Sequence, residues 1–380
     1  MEKILYKYDK LRINSLVFKL VDYCDLGCNY CYREKSEYRS NKIMSDEIID
    51  LTIDRYLEFC QNTHPQKEIT LIWHGGEPLL AGIDKFKNIL EIEKKYEKKY
   101  NIKIQNAVQS NGISLTPEMC ELFSENNFKI GFSIDGPKEI HDIHRKYLNG
   151  KSSFEKTIQG IDLAKKYNLD TNLIVVITNE SYKNVETIYN FIKSLKIKAV
   201  DFIPCFDYES DTTLTEENYN YFLMNLFNLW KKDSFDFLEI RLFSDIFEKV
   251  YSLNRNQPLK ALSCSLAGAC GQNFSVGVNG DICTCECLTP IKEYFLGNIK
   301  EKSFELMLKE KSYTTTFKND FNSVDKKCFD CDVFNICRGG CLNRRLPKYN
   351  KSLDIYCNPR KNIIKEIINF YHEKTYKYNE

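Results

Sequence analysis

The chain has 380 residues, 54 Lys and Arg against 53 Asp and Glu, a formal net charge of +1 and 43% hydrophobic residues; this balance excludes the clustered basic face of a nucleic-acid-binding protein. The length suits a barrel of about 200 to 250 residues joined to a smaller module. The N-terminal MEKILYKYDKLRI lacks the apolar core of a signal peptide and no segment runs eighteen apolar residues, so the sixteen cysteines are expected to bind metal in an anaerobic, reducing cytoplasm rather than to form disulfides.

The first predicted element is a strand over 13–20, which runs into VDYCDLGCNYCYR at 21–33. There Cys24, Cys28 and Cys31 are separated by three and then two residues. Three thiolates so spaced can each hold one iron of a cubic cluster and leave the fourth iron open. Structural metal sites are closed by four ligands, so this loop reads as a catalytic centre. A helix follows over 45–60 with Ser45 as N-cap, then a β-branched strand over 68–73 that ends in His74-Gly75-Gly76-Glu77-Pro78. The alternation continues through helix 84–100, strand 103–109, the turn Ser110-Asn111-Gly112, helix 117–126, strand 129–134, the loop Asp135-Gly136-Pro137, helix 153–167, strand 171–177, helix 182–195 and strand 199–203.

Six βα units predict a parallel sheet with right-handed crossovers, an α/β fold of the partial, open (β/α)6 TIM-like barrel type. The cysteine loop and the loops at 74–78, 110–112 and 133–137 all leave strands on one rim, where such barrels place their chemistry. Glycines there admit close approach of a ligand, and Glu77 offers a carboxylate to a ligand ammonium. From 215 to 253 the pattern is helical, and the stripe Tyr219, Phe222, Leu223, Leu226, Phe227 and Trp230 is expected to pack in the core.

Composition changes at Cys264. Short loops and little continuous apolar sequence suggest a module held by metal rather than by a large core. Cys270 precedes Gly280 by nine residues and Cys285 by four more, while Cys328, Cys331, Cys337 and Cys341 are separated by two, five and three residues, with Cys357 ahead of a closing helix over 360–372. Paired cysteines two apart also suit zinc. With Cys264 included, eight cysteines are enough to close two four-iron clusters. Cys60, Cys120 and Cys205 read as buried thiols, and Cys283 and Cys287 have no assigned partner.

Cys24, Cys28 and Cys31, followed by Gly75-Gly76-Glu77-Pro78, resemble the signature of the radical S-adenosylmethionine (radical SAM) superfamily, and the second cysteine field resembles a SPASM domain, the two-cluster extension of many peptide- and protein-modifying members. The chain then divides into a barrel at 1–210, a helical bridge at 211–262, a SPASM domain at 263–358 and a C-terminal helix at 359–380. The resemblance implies three [4Fe-4S] clusters and S-adenosyl-L-methionine. The open iron would hold the amino and carboxylate groups of the cofactor, and its reductive cleavage would give a 5′-deoxyadenosyl radical that abstracts a hydrogen atom from substrate. By position, Glu77 in the loop of Gly75, Gly76 and Pro78 would meet the cofactor ammonium, Ser133 and Arg145 its carboxylate, and Asn111 its sugar. Cys264, Cys270, Cys285 and Cys341 would ligate the nearer auxiliary cluster and Cys328, Cys331, Cys337 and Cys357 the farther one. Both would be fully ligated and serve electron transfer, with an external donor such as flavodoxin or ferredoxin.

The layout is similar to that of anaerobic sulfatase-maturing enzymes, which oxidise Cys or Ser to formylglycine. Where those carry an Asp after the third cysteine of the nearer auxiliary cluster, a Tyr two residues after the third radical SAM cysteine and a Gln before Gly-Gly-Glu-Pro, this chain has Glu286, Arg33 and His74. The His-Gly-Gly-Glu-Pro form is similar to SPASM enzymes that modify ribosomally made peptides, so a thioether or carbon-carbon crosslink is the expected product. Formylglycine formation is the alternative, and a non-enzymatic zinc-binding or electron-carrier protein is the alternative of another class. Glu286 is the candidate base, since a carboxylate beside a buried anionic cluster is expected to have a raised pKa. His74 and Arg33 are candidate substrate contacts. The expected partner is a peptide or protein, with neither nucleic acid nor membrane. Since 23 residues precede Cys24, leader recognition would fall to the barrel mouth, the bridge or a separate leader-binding protein.

Overall fold

In the computed structural model, residues 15–31, 41–63, 67–206, 213–233, 238–259, 263–268, 270, 273–289, 291–310, 324–345 and 353–377 are described. β1 (Ser15–Val21) is apolar and buried along almost its whole length, as a strand covered on both faces must be. The chain then alternates through α1 (Asp46–Thr63), β2 (Glu68–Gly75), α2 (Ile83–Tyr100), β3 (Lys103–Ser110), α3 (Pro117–Glu125), β4 (Lys129–Ser133), α4 (Lys138–His144), α5 (Phe154–Lys166), β5 (Asp170–Ile177), α6 (Val185–Ser194) and β6 (Ala199–Pro204). The six strands pair in parallel and in chain order, which gives the α/β partial barrel expected.

Local chemistry sets the boundaries. Thr116 accepts the Met119 N–H at 3.3 Å ahead of Pro117, so α3 starts with its first donors satisfied. Asn101 closes α2 in the left-handed region. The predicted helix at 182–195 opens as a 3-10 turn, Tyr182–Asn184, before α6. α4 was not expected from the sequence. It is a two-turn helix whose inward face carries His141 and His144, both buried, so no apolar stripe marks it.

The helical stretch at 215–253 resolves into α7 (Glu216–Trp230) and α8 (Arg241–Asn254), separated by the two-residue β7 (Glu239–Ile240) on the β6 edge. The aromatic stripe of α7 is buried as expected. On the other edge of the barrel, β8 (Asn273–Val276) pairs in parallel with β1, and β9 (Asp281–Cys283) and β10 (Phe295–Asn298) continue antiparallel. Among the described residues the sheet therefore has ten strands in the order β10-β9-β8-β1-β2-β3-β4-β5-β6-β7. Six had been expected, because strands of two to four residues carry too little alternation to register. Phe274, Val276, Ile282 and Leu296 enter the same core as the barrel, together with Phe304 and Met307 of α9 (Phe304–Lys309). This part of the cysteine-rich region thus rests on apolar burial, worth about 1.5–3 kcal/mol for each large side chain. The short α10 (Phe334–Cys337) and long α11 (Cys357–Lys377) close the chain, with Phe370 edge-on to Phe227 at 5.7 Å. Among the described residues no helix is long and apolar enough to cross a membrane.

Candidate active site

Two rim loops are joined through their backbones. Gly76 N–H donates to Val21 O at 2.7 Å and Glu77 N–H to Tyr23 O at 2.9 Å, so the Gly-Gly-Glu-Pro loop lies against the segment that carries Cys24. The approach requires Gly75: its φ is +124° and a Cβ would stand 2.4 Å from Val21 O. Pro78 then starts a 3-10 turn capped by Glu77. The Glu77 carboxylate is buried and accepts from Leu79 N at 3.0 Å, the Ser110 hydroxyl at 2.7 Å and Asn111 N at 2.8 Å. It therefore braces the β2 and β3 exits, and burial pushes it up to about 7 in spite of these donors. Asn111 Nδ2 donates to Asp25 Oδ1 at 2.7 Å and reaches Cys24 Sγ at 3.8 Å.

Cys24, Cys28 and Cys31 lie partly exposed on one loop, with the Cys31 N–H donating to Cys28 O at 3.1 Å. Burial drives the Cys24 thiol far above its ordinary range and Cys28 to about 11, the latter opposed by the Arg145 guanidinium. Arg145 is buried, its Nε 3.1 Å from Asp135 Oδ2, and its guanidinium lies 5.4 Å from the Tyr30 ring centroid. Tyr30 in turn donates a short hydrogen bond to Asp135. Ser133 Oγ accepts from Gln109 Nε2 at 3.0 Å on the same rim. Arg33 lies outside the described residues.

A second polar group closes the mouth from the far side. Lys19 and His74 are register partners on β1 and β2, and both reach the turn at 286–289. Lys19 Nζ donates to Thr289 Oγ1 at 3.0 Å, and His74 Nδ1 stands 3.3 Å from Glu286 Oε1 while accepting the Gly75 N–H at 2.7 Å. The two sequence candidates His74 and Glu286, 212 positions apart, are thus neighbours. Lys19, Thr289, Tyr30, Asp25 and Asp135 were not singled out from sequence. Lys19 had a signal, a cation inside an otherwise apolar strand.

The other cysteines fall into two groups. The Cys285 thiol is pushed well up by its hydrogen bond with Cys287, by burial and by the nearby Cys264 and Cys270, and Cys341 lies against Cys287 and Arg344. Burial and the neighbouring Cys357, Cys337 and Cys331 push Cys328 up to about 11. Cys60, Cys120 and Cys205 are buried, as is Cys283 within β9. Thiols so shielded hold their protons unless a cation replaces them, and a coordinated thiol is deprotonated outright. Among the described residues no three ligating side chains close on a single metal ion; three thiols on one rim loop, with the Leu26 N–H 3.4 Å from Cys24 Sγ, and the further cysteines of the second half suit iron-sulfur clusters by the chemistry of the donor set.

Comparison with known proteins agrees with this donor set. The model of the radical SAM superfamily matches residues 18–192, and that of SPASM, an iron-sulfur cluster-binding domain, matches residues 264–332. The chain is 32% identical over 352 residues to the cysteine-type anaerobic sulfatase-maturating enzyme of Clostridium perfringens (strain 13 / Type A), across 89% of this chain and 91% of that one. It is 32% identical over 351 residues to the serine-type anaerobic sulfatase-maturating enzyme of Bacteroides thetaiotaomicron, across 86% and 81%. The fold is similar to that of native anSMEcpe with bound AdoMet and Cp18Cys peptide, with a TM-score of 0.83 and 29% identity over 94% of this chain and 99% of that one.

Proposed function

The chain belongs to the radical SAM superfamily, in the group with a SPASM iron-sulfur cluster-binding domain, and we propose that it oxidises a Cys or Ser side chain of a peptide or protein substrate to formylglycine. Similarity to both cysteine-type and serine-type maturating enzymes favours this product over the crosslink that His-Gly-Gly-Glu-Pro suggested. The iron-sulfur character of the second domain likewise favours iron over the zinc alternative.

S-adenosylmethionine and a four-iron cluster, when bound, supply the abstraction of a hydrogen atom. Cys24, Cys28 and Cys31 would hold that cluster, with Gly75 letting the Gly-Gly-Glu-Pro loop lie against their segment, and Gly76, Arg145, Ser133 and Asn111 on the rim to receive and orient the cofactor. Glu77, its oxygens engaged by three donors, keeps the β2 and β3 loops in place. Glu286 would accept the proton that leaves the substrate thiol or hydroxyl. Loss of that proton, of one hydrogen atom from Cβ to the bound cofactor and of one electron to an auxiliary cluster would give the aldehyde from Ser, or from Cys a thioaldehyde that water hydrolyses with release of hydrogen sulfide.

The observation that carries this reading is the 32% identity to both a cysteine-type and a serine-type maturating enzyme; Glu286 Oε1, 3.3 Å from His74 Nδ1, adds a carboxylate at the rim. The test is anaerobic reconstitution and incubation with S-adenosylmethionine, a reductant and a sulfatase-derived peptide carrying Cys or Ser. An aldehyde trapped by a hydrazide is expected. Loss of two hydrogens with the sulfur retained would favour the crosslink, and zinc without iron would remove the enzyme reading altogether.

A further inference from the structure

Between the two auxiliary cysteine groups lies one buried carboxylate. Asp354 Oδ2 accepts the Cys341 N–H at 2.8 Å, Arg344 Nε at 3.1 Å and Arg360 Nη1 at 3.0 Å, while Oδ1 accepts the Tyr356 N–H at 2.9 Å. The Asp354 carbonyl accepts the Cys357 N–H at 2.8 Å. One residue thus holds the backbone at a cysteine of each group. Arg344 follows Cys341 within one 3-10 turn, its N–H bonded to Cys341 O at 3.1 Å. Arg360 stands one helical turn beyond Cys357 at the start of α11, on the same face. Gly340, at φ +76°, makes room for the pair: a Cβ there would stand 2.1 Å from Arg360 Nη1 and 2.3 Å from Asp354 Oδ2. Tyr356 fixes the assembly to the barrel by donating to the carbonyls of Cys205 and Leu214.

We propose that Arg344 and Arg360, pinned to the single carboxylate of Asp354, each hold a permanent positive charge against one auxiliary cluster, and so set the two reduction potentials separately. The inference rests on the cluster assignment above. Reduction adds negative charge, which a fixed cation nearby stabilises, and the effect is strong where water is excluded. Arg344 acts on the cluster of Cys341 and Arg360 on that of Cys357. These are positioning residues, since neither guanidinium is a ligand. Arginine suits the task because it stays charged when buried.

The test is an anaerobic redox titration of the fully reconstituted protein, followed by electron paramagnetic resonance, in the wild type and in Arg344→Gln, Arg344→Lys, Arg360→Gln and Arg360→Lys. Each Gln variant is expected to lower the potential of its own cluster by about tenfold in the reduction equilibrium, or 59 mV for one electron, with the other cluster unmoved and each Lys variant near the wild type. Unchanged potentials in Gln variants that keep their iron would overturn the proposal, as would equal shifts of both clusters in either variant. If a Gln variant loses iron, its Lys counterpart decides: retained iron with a near-native potential supports a role for the charge, and loss of iron there too shows that only the shape of the fork matters. Wild-type protein without auxiliary clusters refutes the assignment itself, before any variant is made.

Discussion

Glu77 on the barrel rim and Asp354 in the auxiliary region are both buried carboxylates that tie loops together, and their surroundings shift them in opposite directions. Glu77 is met by two backbone N–H groups and a hydroxyl, and burial still raises it to about 7. Asp354 is met by two backbone N–H groups and two guanidinium groups; burial works to raise it, but Arg344 and Arg360 overcome that and hold it well below the usual carboxylate range. Three neutral donors do not offset desolvation, whereas two cations do. The six parallel strands of the barrel hold its rim loops through the sheet and the core beneath them, so its brace can tolerate a raised carboxyl. The auxiliary turns reach the same core through Val333, Ile336 and Tyr356, and an ionic knot ties their backbones together.

The sharpest division between the regions is expected from cysteine substitutions. Cys28→Ser should abolish 5′-deoxyadenosine release, measured by chromatography, while Cys331→Ser should lower the iron content yet leave that release detectable. Equal loss in both would erase the distinction between a catalytic and an auxiliary cluster. Next in size is Asp354→Ala, which removes the carboxylate that Arg344 and Arg360 share and should cost about 3–5 kcal/mol in denaturant unfolding. A cost below 1 kcal/mol would mean that the knot does not hold the auxiliary turns. Gly75→Ala should cost about 1–3 kcal/mol from backbone conformation alone. The new methyl also meets the fixed backbone oxygen of Val21.

How far each region was legible follows the same division. Barrel strands and helices carry their period in five or more residues, so their order, and the rim loops between them, could be read directly. Cysteine spacing is local as well, and it pointed to the loop at 21–33 before any fold was known. What escaped was long-range. β8 pairs with β1 through Ser15 and Asn273, and Ser15 Oγ donates to Asn273 Oδ1 at 2.9 Å across 258 positions. Nothing in NFSV predicts that partner. Asp354 carries no local signal, because its role depends on two arginines that only the fold brings to it. Glu77 was recognised as important through its motif, but its three donors, two of them from the β3 exit, could not be read from Gly-Gly-Glu-Pro.

The smallest effect concerns Glu93, and it tests the contrast in carboxyl shift away from any cluster. Glu93 of α2 is buried, with Oε2 accepting from Asn106 Nδ2 at 2.8 Å while Asn106 Oδ1 accepts from Trp73 Nε1 at 2.7 Å. Its Oε1 has no hydrogen-bond partner among the described residues. Burial pushes it from 4.5 to about 8. Between those values the folded protein keeps a proton that the unfolded chain has released, so stability falls as pH rises, by about 1.4 kcal/mol per pH unit, and is level outside that window. Glu93→Gln retains an acceptor for Asn106 and cannot ionise. The stability of the wild type relative to this variant, from urea unfolding at pH 6.5 and 7.5, should therefore drop by about 1.4 kcal/mol over that unit. The same comparison for Asp354→Asn should be level there, because a carboxylate held down by arginines loses its contribution only as pH falls below the ordinary carboxylate range. A level difference for Glu93→Gln would mean that the barrel interior accommodates the charge and that the two regions do not differ as argued.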